Sequence, residues 1–290
     1  MKTLLITSIY SDLWGTEFGG RPSRDFHYKA SLLSILKLSP TKVICFTSNK
    51  ELASLEDFFY TKNKVDPNLL EFSTFELSDS RYFDLIYPKK NIEKMKTLDR
   101  CFEIQYNKFF WFDTIENTNQ YDRVYWIDAG LSHNGLFPDK HRDLTGGYQA
   151  HYYSVDLFKP ELLEKLNVIS KDSTLLIAKN NQGGFYWSQG LPPKYFNTYN
   201  LSKHIIGGLF GGTPKMYAEF KNKFEVSLLD VLENENELYM EEQIITCLYR
   251  NFEEEFTLLE FDDWMAREDD WYKSRNINKK KCKLFYEMFL

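Results

Sequence analysis

Residues 121 to 130 read Tyr121-Asp122-Arg123-Val124-Tyr125-Trp126-Ile127-Asp128-Ala129-Gly130. Val, Tyr, Trp and Ile in a row predict a short buried strand over Arg123 to Ile127. The strand delivers a lone carboxylate at its C-terminal end, and the small Ala129 and Gly130 leave room beside it. In open α/β sheets, ligands bind outside the carboxyl ends of the strands. A carboxylate there suits a hard divalent cation such as Mg²⁺ or Mn²⁺ that bridges to phosphate oxygens. An Asp ending a strand also serves as a turn residue or helix cap. The surrounding segments must decide between these.

Upstream, Thr3 to Tyr10 reads as a buried strand ending in polar Ser11-Asp12. A loop with Gly15, Gly19, Gly20 and Pro22 follows. Ser23 or Asp25 then opens a helix running to about Leu38. Lys42 to Thr47 is a second buried strand, Glu51 to Tyr60 a short helix, and Leu69 to Leu77 a third strand. Ile92 to Ile115 carries helical spacing, with Phe102, Tyr106, Phe109, Phe110 and Asp113 recurring along it. Downstream, strands are expected over Thr174 to Ala178, over Ile205 to Phe210 with an interruption at Gly207-Gly208, and over Phe256 to Phe261. Helices are expected over Pro214 to Asn234 and Glu237 to Tyr249. Strands alternating with helices imply a mostly parallel central sheet flanked by helices. The 290 residues contain no repeat and no low-complexity linker, so a single α/β domain is expected.

Composition narrows the function classes. The net charge of −6 lacks the basic footprint of a duplex nucleic-acid binder. Lys279, Lys280, Lys281 and Lys283 cluster near the C-terminus, as a solvated surface or as a contact for anionic lipid headgroups. Cys45, Cys101, Cys247 and Cys282 form no CxxC pair, which argues against a zinc cluster or a dense disulfide frame. Reduced thiols fit a cytosolic protein. The N-terminal run has no small-residue cleavage site, and no stretch approaches the roughly 18 apolar residues of a spanning helix. At most peripheral membrane contact is expected. Aromatics make up 17%, enough to fill a core and also to line a cleft that stacks on flat rings. No phosphate loop, no Gly-x-Ser-x-Gly elbow and no dinucleotide fingerprint is present.

Three further segments bear on the carboxylate of Asp128. His204-Ile-Ile-Gly-Gly-Leu-Phe-Gly-Gly212 puts glycines inside a strand, which serve a bulge, tight packing or close approach of a ligand. Met240-Glu-Glu-Gln-Ile-Ile245 opens a helix with two carboxylates and an amide, a good cap for the helix dipole. Tyr106-Asn-Lys108 lies on the aromatic helix before Asp128. Lys108 is either a surface lysine or a countercharge for a diphosphate.

The order of these segments resembles the GT-A (Rossmann-like) fold of nucleotide-sugar glycosyltransferases. More narrowly, Trp126-Ile-Asp-Ala-Gly130, with Gly-Gly-Leu-Phe-Gly-Gly and Glu-Glu-Gln downstream, resembles the bacterial HtrL/YibB family, assigned to glycosyl transfer. The resemblance runs from Lys2 to about Phe261. It implies a hexosyltransferase with a nucleotide-binding half (1–130) and an acceptor-binding half (131–290). UDP is the expected base carrier because it is common among GT-A donors. A divalent metal, Mn²⁺ or Mg²⁺, is the expected cofactor. A glycan or lipid-linked glycan of the bacterial surface is the expected acceptor, at the inner face of the membrane.

Carried over by position, the resemblance places Thr7, Ser8 and Tyr10 in the nucleoside pocket and Asp128 on the metal and diphosphate. Gly207 and Gly208 floor the sugar site, and Glu242 and Gln243 contact donor sugar or acceptor. Glu241 and Glu242 are the first candidates for a general base. Arg21, in the Gly-rich loop, is suited to bidentate phosphate contact. The chain departs from the GT-A pattern twice. The usual metal motif is Asp-x-Asp, and Gly130 stands at its third position. No His follows His204; Asp262 and Asp263 are either a substitute metal ligand or an acidic surface turn. Two other classes compete: a non-catalytic carbohydrate-binding protein, and a metal-dependent hydrolase of nucleotide-sugars or phosphoesters.

Overall fold

A computed structural model describes residues 1–13, 15–19, 25–95, 101–129, 161–180, 193–195 and 204–259. Its strands are β1 (Thr3–Ser8), β2 (Lys42–Thr47), β3 (Leu70–Thr74), β4 (Arg123–Ile127), β5 (Leu175–Asn180), β6 (His204–Gly212) and β7 (Phe256–Leu259). Its α-helices are α1 (Asp25–Leu36), α2 (Asn49–Glu56), α3 (Phe83–Ile86), α4 (Ile92–Met95), α5 (Phe102–Phe110), α6 (Leu162–Ile169), α7 (Pro214–Asn234) and α8 (Glu241–Asn251). The strands form one seven-stranded sheet in the order β3-β2-β1-β4-β6-β5-β7. β1 pairs in parallel with β2 and with β4, and β2 with β3. β6 runs antiparallel to both β4 and β5, and β7 is parallel to β5.

Side chains of a strand alternate between faces, so a sheet covered on both sides needs apolar residues at nearly every position. β1 and β4 meet this condition. Leu4, Ile6, Val124 and Trp126 enter one core layer with residues of α5, α7 and α8. Leu5, Tyr125 and Ile127 enter the other with residues of α1, α2 and α6. The first layer is aromatic. Trp111 stacks on Phe46 at 4.9 Å and on Trp126 at 5.7 Å between ring centroids, and Phe109 stacks on Phe210 at 4.7 Å. The high aromatic content therefore fills a core. Such pairs add about 0.5–1.5 kcal/mol each beyond their burial.

Local chemistry sets the helix ends. Thr213 accepts a hydrogen bond from the Met216 N–H, and Pro214 occupies the first turn of α7. A cap of this kind contributes about 1 kcal/mol. The expected helix over Ile92 to Ile115 is interrupted instead. Cys101 is extended (φ −119°, ψ 113°), α5 begins at Phe102, and a 3₁₀ turn over Trp111–Thr114 ends it. The last helix begins at Glu241 rather than Glu237, because Met240 is extended and the Gln243 side chain accepts its N–H at 2.8 Å. β6 runs as one strand through Gly207 and Gly208, but its pairing with β5 slips there: Ile177 pairs with Phe210 and Ala178 with Ile206, so Gly207, Gly208 and Leu209 form a bulge on β6. α6 was not expected, although Leu162, Leu163 and Leu166 have helical spacing and are buried.

Among the described residues, no helix is long and apolar enough to cross a membrane.

Candidate active site

β1 has β2 on one side and β4 on the other. The chain thus leaves β1 in one direction and returns on its opposite flank, which makes a topological switch point at the carboxyl ends of β1 and β4. Asp128 lies one residue past β4. Its N–H donates to the Gly208 carbonyl at 2.8 Å, which extends the ladder with β6. One carboxylate oxygen accepts from Trp126 Nε1 at 3.1 Å. Trp126 precedes Asp128 by two residues and so shares its face of the strand. In the sequence Trp126 stands only as a strand residue two positions before Asp128. That i, i+2 spacing was the available signal.

Lys108 reaches the same place from α5. Its Nζ donates to Glu241 Oε1 at 2.6 Å and to the Gly207 carbonyl at 2.9 Å. It lies 3.7 Å from Asp128 Oδ2 and 5.6 Å from the centroid of the Trp126 ring. Side-chain exposure is 2% for Lys108 and 4% for Glu241, but 33% for Asp128. Glu242, next in the first turn of α8, accepts the Gly207 N–H at 3.2 Å. A Cβ on Gly207 would lie 2.9 Å from Cδ and Cγ of Glu241 and closer still to Oε1. Gly207 is glycine because the Glu241 carboxylate occupies the space a side chain would take. Gly207 and Gly208 thus stitch Asp128, Lys108, Glu241 and Glu242 into one cluster.

The electrostatics follow from burial and sign. Burial opposes charge on Lys108, but the carboxylates of Asp128 and Glu241 outweigh it and hold its pKa above the usual 10.5. Burial raises the Asp128 carboxyl against the pull of Lys108. Burial also raises Glu241, again against Lys108, and the neighbouring Glu242 charge pushes it further up. Three carboxylates face one ammonium, and Glu241 Oε2 is buried without a hydrogen-bond partner among the described residues. Raised carboxyl pKa values mean that the folded protein holds protons the unfolded chain has released. The stability contributed by these groups is full below their ordinary values of 3.8 and 4.5 and is lost as pH rises through the shifted ones. Urea unfolding from mildly acidic to neutral pH is expected to show a steeper loss in the wild type than in Asp128→Asn/Glu241→Gln. Equal slopes would contradict the shifts.

The other expected site residues divide. Register pairs Ile6 with Trp126, so Ser8 lies beside Asp128 on the same face and is partly exposed. Thr7 faces the opposite layer and is fully buried, its hydroxyl without a partner among the described residues. Alternation turns it away from any pocket that Ser8 lines. Tyr10 is buried, stacked 6.1 Å from Trp111, and its hydroxyl donates to the Phe75 carbonyl at 2.8 Å. It is a core residue in this structure. Gln243 spends its side-chain oxygen on the α8 cap. Arg21, Gly130, Asp262 and Asp263 lie outside the described residues.

A switch-point carboxylate in a mixed sheet flanked by helices on both faces defines a GT-A-like fold. Over 98% of this chain and 94% of the other, it is similar to the galactosyltransferase LgtC, solved in complex with donor and acceptor sugar analogs, with a TM-score of 0.50 and 9% identity. Over 95% of this chain and 94% of the other, it is similar to a 4-diphosphocytidyl-2C-methyl-D-erythritol synthase from Anaerococcus prevotii, with a TM-score of 0.46 and 11% identity. At 9% identity the likeness to LgtC is one of fold. No protein-family model matches the sequence, and neither does any curated protein. The resemblance to the HtrL/YibB family rests on the short motifs quoted above.

Proposed function

We propose that this chain is a glycosyltransferase that moves a sugar from a nucleotide-sugar donor to a glycan or lipid-linked glycan. The supporting observation is the convergence of Asp128, Lys108, Glu241 and Glu242 at the carboxyl end of β4, beside the β1/β4 switch point. Residues 1–130 would bind the nucleotide, with UDP the first candidate, and residues 131–290 the acceptor. The HtrL/YibB likeness favours a bacterial surface glycan made on the cytoplasmic side.

The residues suit a divalent metal. Asp128 presents a partly exposed hard oxygen, and the cluster carries surplus carboxylate with an orphaned Glu241 Oε2. Among the described residues, no three acidic, His or Cys side chains build a complete cage. A metal held through one carboxylate and substrate phosphates matches how Mg²⁺ is commonly bound. Asp128 would hold the ion, which when bound supplies Lewis-acid stabilisation of a departing diphosphate.

The chain's own groups do the rest. Lys108 keeps its proton and sets a fixed positive charge beside Asp128, where negative charge would develop on the leaving group. Trp126 orients the Asp128 carboxylate through its indole N–H. Glu241 is clamped by Lys108 and nearly fully buried, so it positions the lysine rather than removing a proton from an acceptor. Glu242, bonded to the Gly207 N–H, is the better placed of the two to orient a sugar hydroxyl.

Thermal melting against nucleoside diphosphates and nucleotide-sugars, with and without Mn²⁺, tests this reading, because a ligand selective for the folded state raises the midpoint. A Mn²⁺-dependent rise with one nucleotide, absent in Asp128→Ala, is expected. No rise with any nucleotide at millimolar concentration would remove the donor site and leave a carbohydrate-binding protein. Donor breakdown indifferent to acceptor would indicate a hydrolase.

A further inference from the structure

Outside the Asp128 cluster, Lys90 and Glu103 form an ion pair whose two side chains have 0% exposure. Lys90 follows the short turn Tyr87–Lys89, and Glu103 lies in the first turn of α5. The ammonium makes two further contacts. It donates to the Glu17 carbonyl at 3.2 Å and sits 5.3 Å from the centroid of the Phe18 ring. Glu103 Oε2 accepts from the Cys101 thiol at 3.3 Å. Glu17 and Phe18 belong to the loop that leaves the carboxyl end of β1. The loop folds on itself through Thr16 N–H to Leu13 O and Gly19 N–H to Thr16 O, both 3.1 Å. Its near end is tied to α2, where the Glu51 carboxylate accepts from Ser11 N at 2.9 Å and from Ser11 Oγ at 2.9 Å.

Stability alone is a poor reason for such a pair. Desolvating two charges costs several kcal/mol, and an apolar pair of similar volume is often as stable or more so. An apolar pair cannot donate to a loop carbonyl. We propose that Lys90 and Glu103 form a latch that holds the loop over residues 15–19 against α5, the helix that carries Lys108. Glu103 neutralises and orients the ammonium, and the ammonium grips the loop through the Glu17 carbonyl and the Phe18 ring. Both are positioning residues. The loop is thereby placed relative to Lys108 by a contact that does not involve the Asp128 carboxylate. Its link to donor binding rests on the glycosyltransferase reading; the latch itself does not.

The test is hydrogen exchange at the Thr16 and Gly19 amides, together with melting temperature, in the full chain. Lys90→Met leaves Glu103 buried and unpaired, and a marked fall in melting temperature is expected. Lys90→Met/Glu103→Leu removes both charges and is expected to recover most of that fall. The loop amides of this paired variant should still exchange about tenfold faster or more, the loss of one charge-assisted hydrogen bond. Lys90→Arg should restore protection. Protection equal to wild type in the folded paired variant would overturn the latch. Should that variant not fold, Phe18→Ala leaves the ion pair intact and is expected to raise exchange at the same amides with a smaller fall in melting temperature than Lys90→Met; unchanged exchange would overturn the proposal equally. A UDP and Mn²⁺ melting shift, measured in parallel, is expected to shrink in the paired variant. If the wild type shows no such shift, the donor reading fails and the exchange data alone decide the latch. A full shift in a variant with a loosened loop would overturn the link to the donor site.

Discussion

Lys108→Met is expected to destabilise the protein by about 3–5 kcal/mol, the cost of leaving a buried charge without its partner. The side chain lost is 2% exposed and makes charge-assisted hydrogen bonds to Glu241 and to the Gly207 carbonyl. Without it, the Glu241 carboxylate stays at 4% exposure beside Glu242, with no cation at hydrogen-bond distance among the described residues. Glu241 would then take up a proton, and the loss should shrink toward acidic pH. Urea unfolding read by tryptophan fluorescence measures both effects. Adding Glu241→Leu should recover a large part of the loss, because the unpaired carboxylate is the main liability. A loss below about 1 kcal/mol in the single variant would place Lys108 among exposed ion pairs and contradict the geometry. The nucleotide-induced melting shift is expected to vanish in both variants. Stability and binding thus separate in the double variant, where the fold recovers and the site does not.

Gly207→Ala is the second large effect. The added Cβ would stand 2.9 Å from Cδ and Cγ of Glu241. Glu241 is not a loose end that can swing aside, because Lys108 holds its carboxylate. Either β6 moves away from α8 or the ion pair breaks. Overpacking of this sort costs about 1–3 kcal/mol, and breaking the pair adds to it. A double-mutant cycle isolates the cause. Gly207→Ala should cost at least about 1 kcal/mol less in a Glu241→Ala background than in the wild type. Additive costs would show that the methyl group meets something other than Glu241. The neighbouring Gly208 enters the site through its backbone. Its carbonyl, which any residue would supply, accepts the Asp128 N–H.

Much of this architecture is written locally. Arg123 to Ile127 announces itself as a strand because each residue is β-prone and both faces are buried. Asp128 stands out because a charge ends that run. α7 is legible at both ends, since Thr213-Pro214 opens it and its apolar residues keep helical spacing to Leu232. Long-range pairing was not legible. Lys108 and Glu241 are 133 residues apart, and nothing near either one names the other. Tyr10 shows a different limit. An aromatic at the end of a strand satisfies the description of a ligand-stacking residue and of a core residue, and Trp111 decides the matter only in three dimensions. Thr7 and Ser8 are both polar residues at the end of a strand, yet alternation along a strand sends neighbours to opposite faces. That part was available from the sequence. The break before α5 was not, because Ile92, Met95, Leu98 and Phe102 keep three- and four-residue spacing across Cys101 while its backbone turns extended.

The antiparallel placement of β6 between β4 and β5 has a consequence for synthesis on the ribosome. Lys108 and β4 emerge well before β6 and α8. At about 5–20 residues per second, the 133 residues from Lys108 to Glu241 take roughly 7–27 s to translate. For the part of that interval between β4 and β6, β4 is an outer strand of a half-built sheet, with Val124 and Trp126 lacking the α7 and α8 side chains that later share their layer. An open hydrophobic strand edge is a template for association with other chains. The nascent protein therefore carries its greatest hazard of aggregation in the middle of its own translation, and the strand that ends the hazard is the one that supplies Gly207 and Gly208.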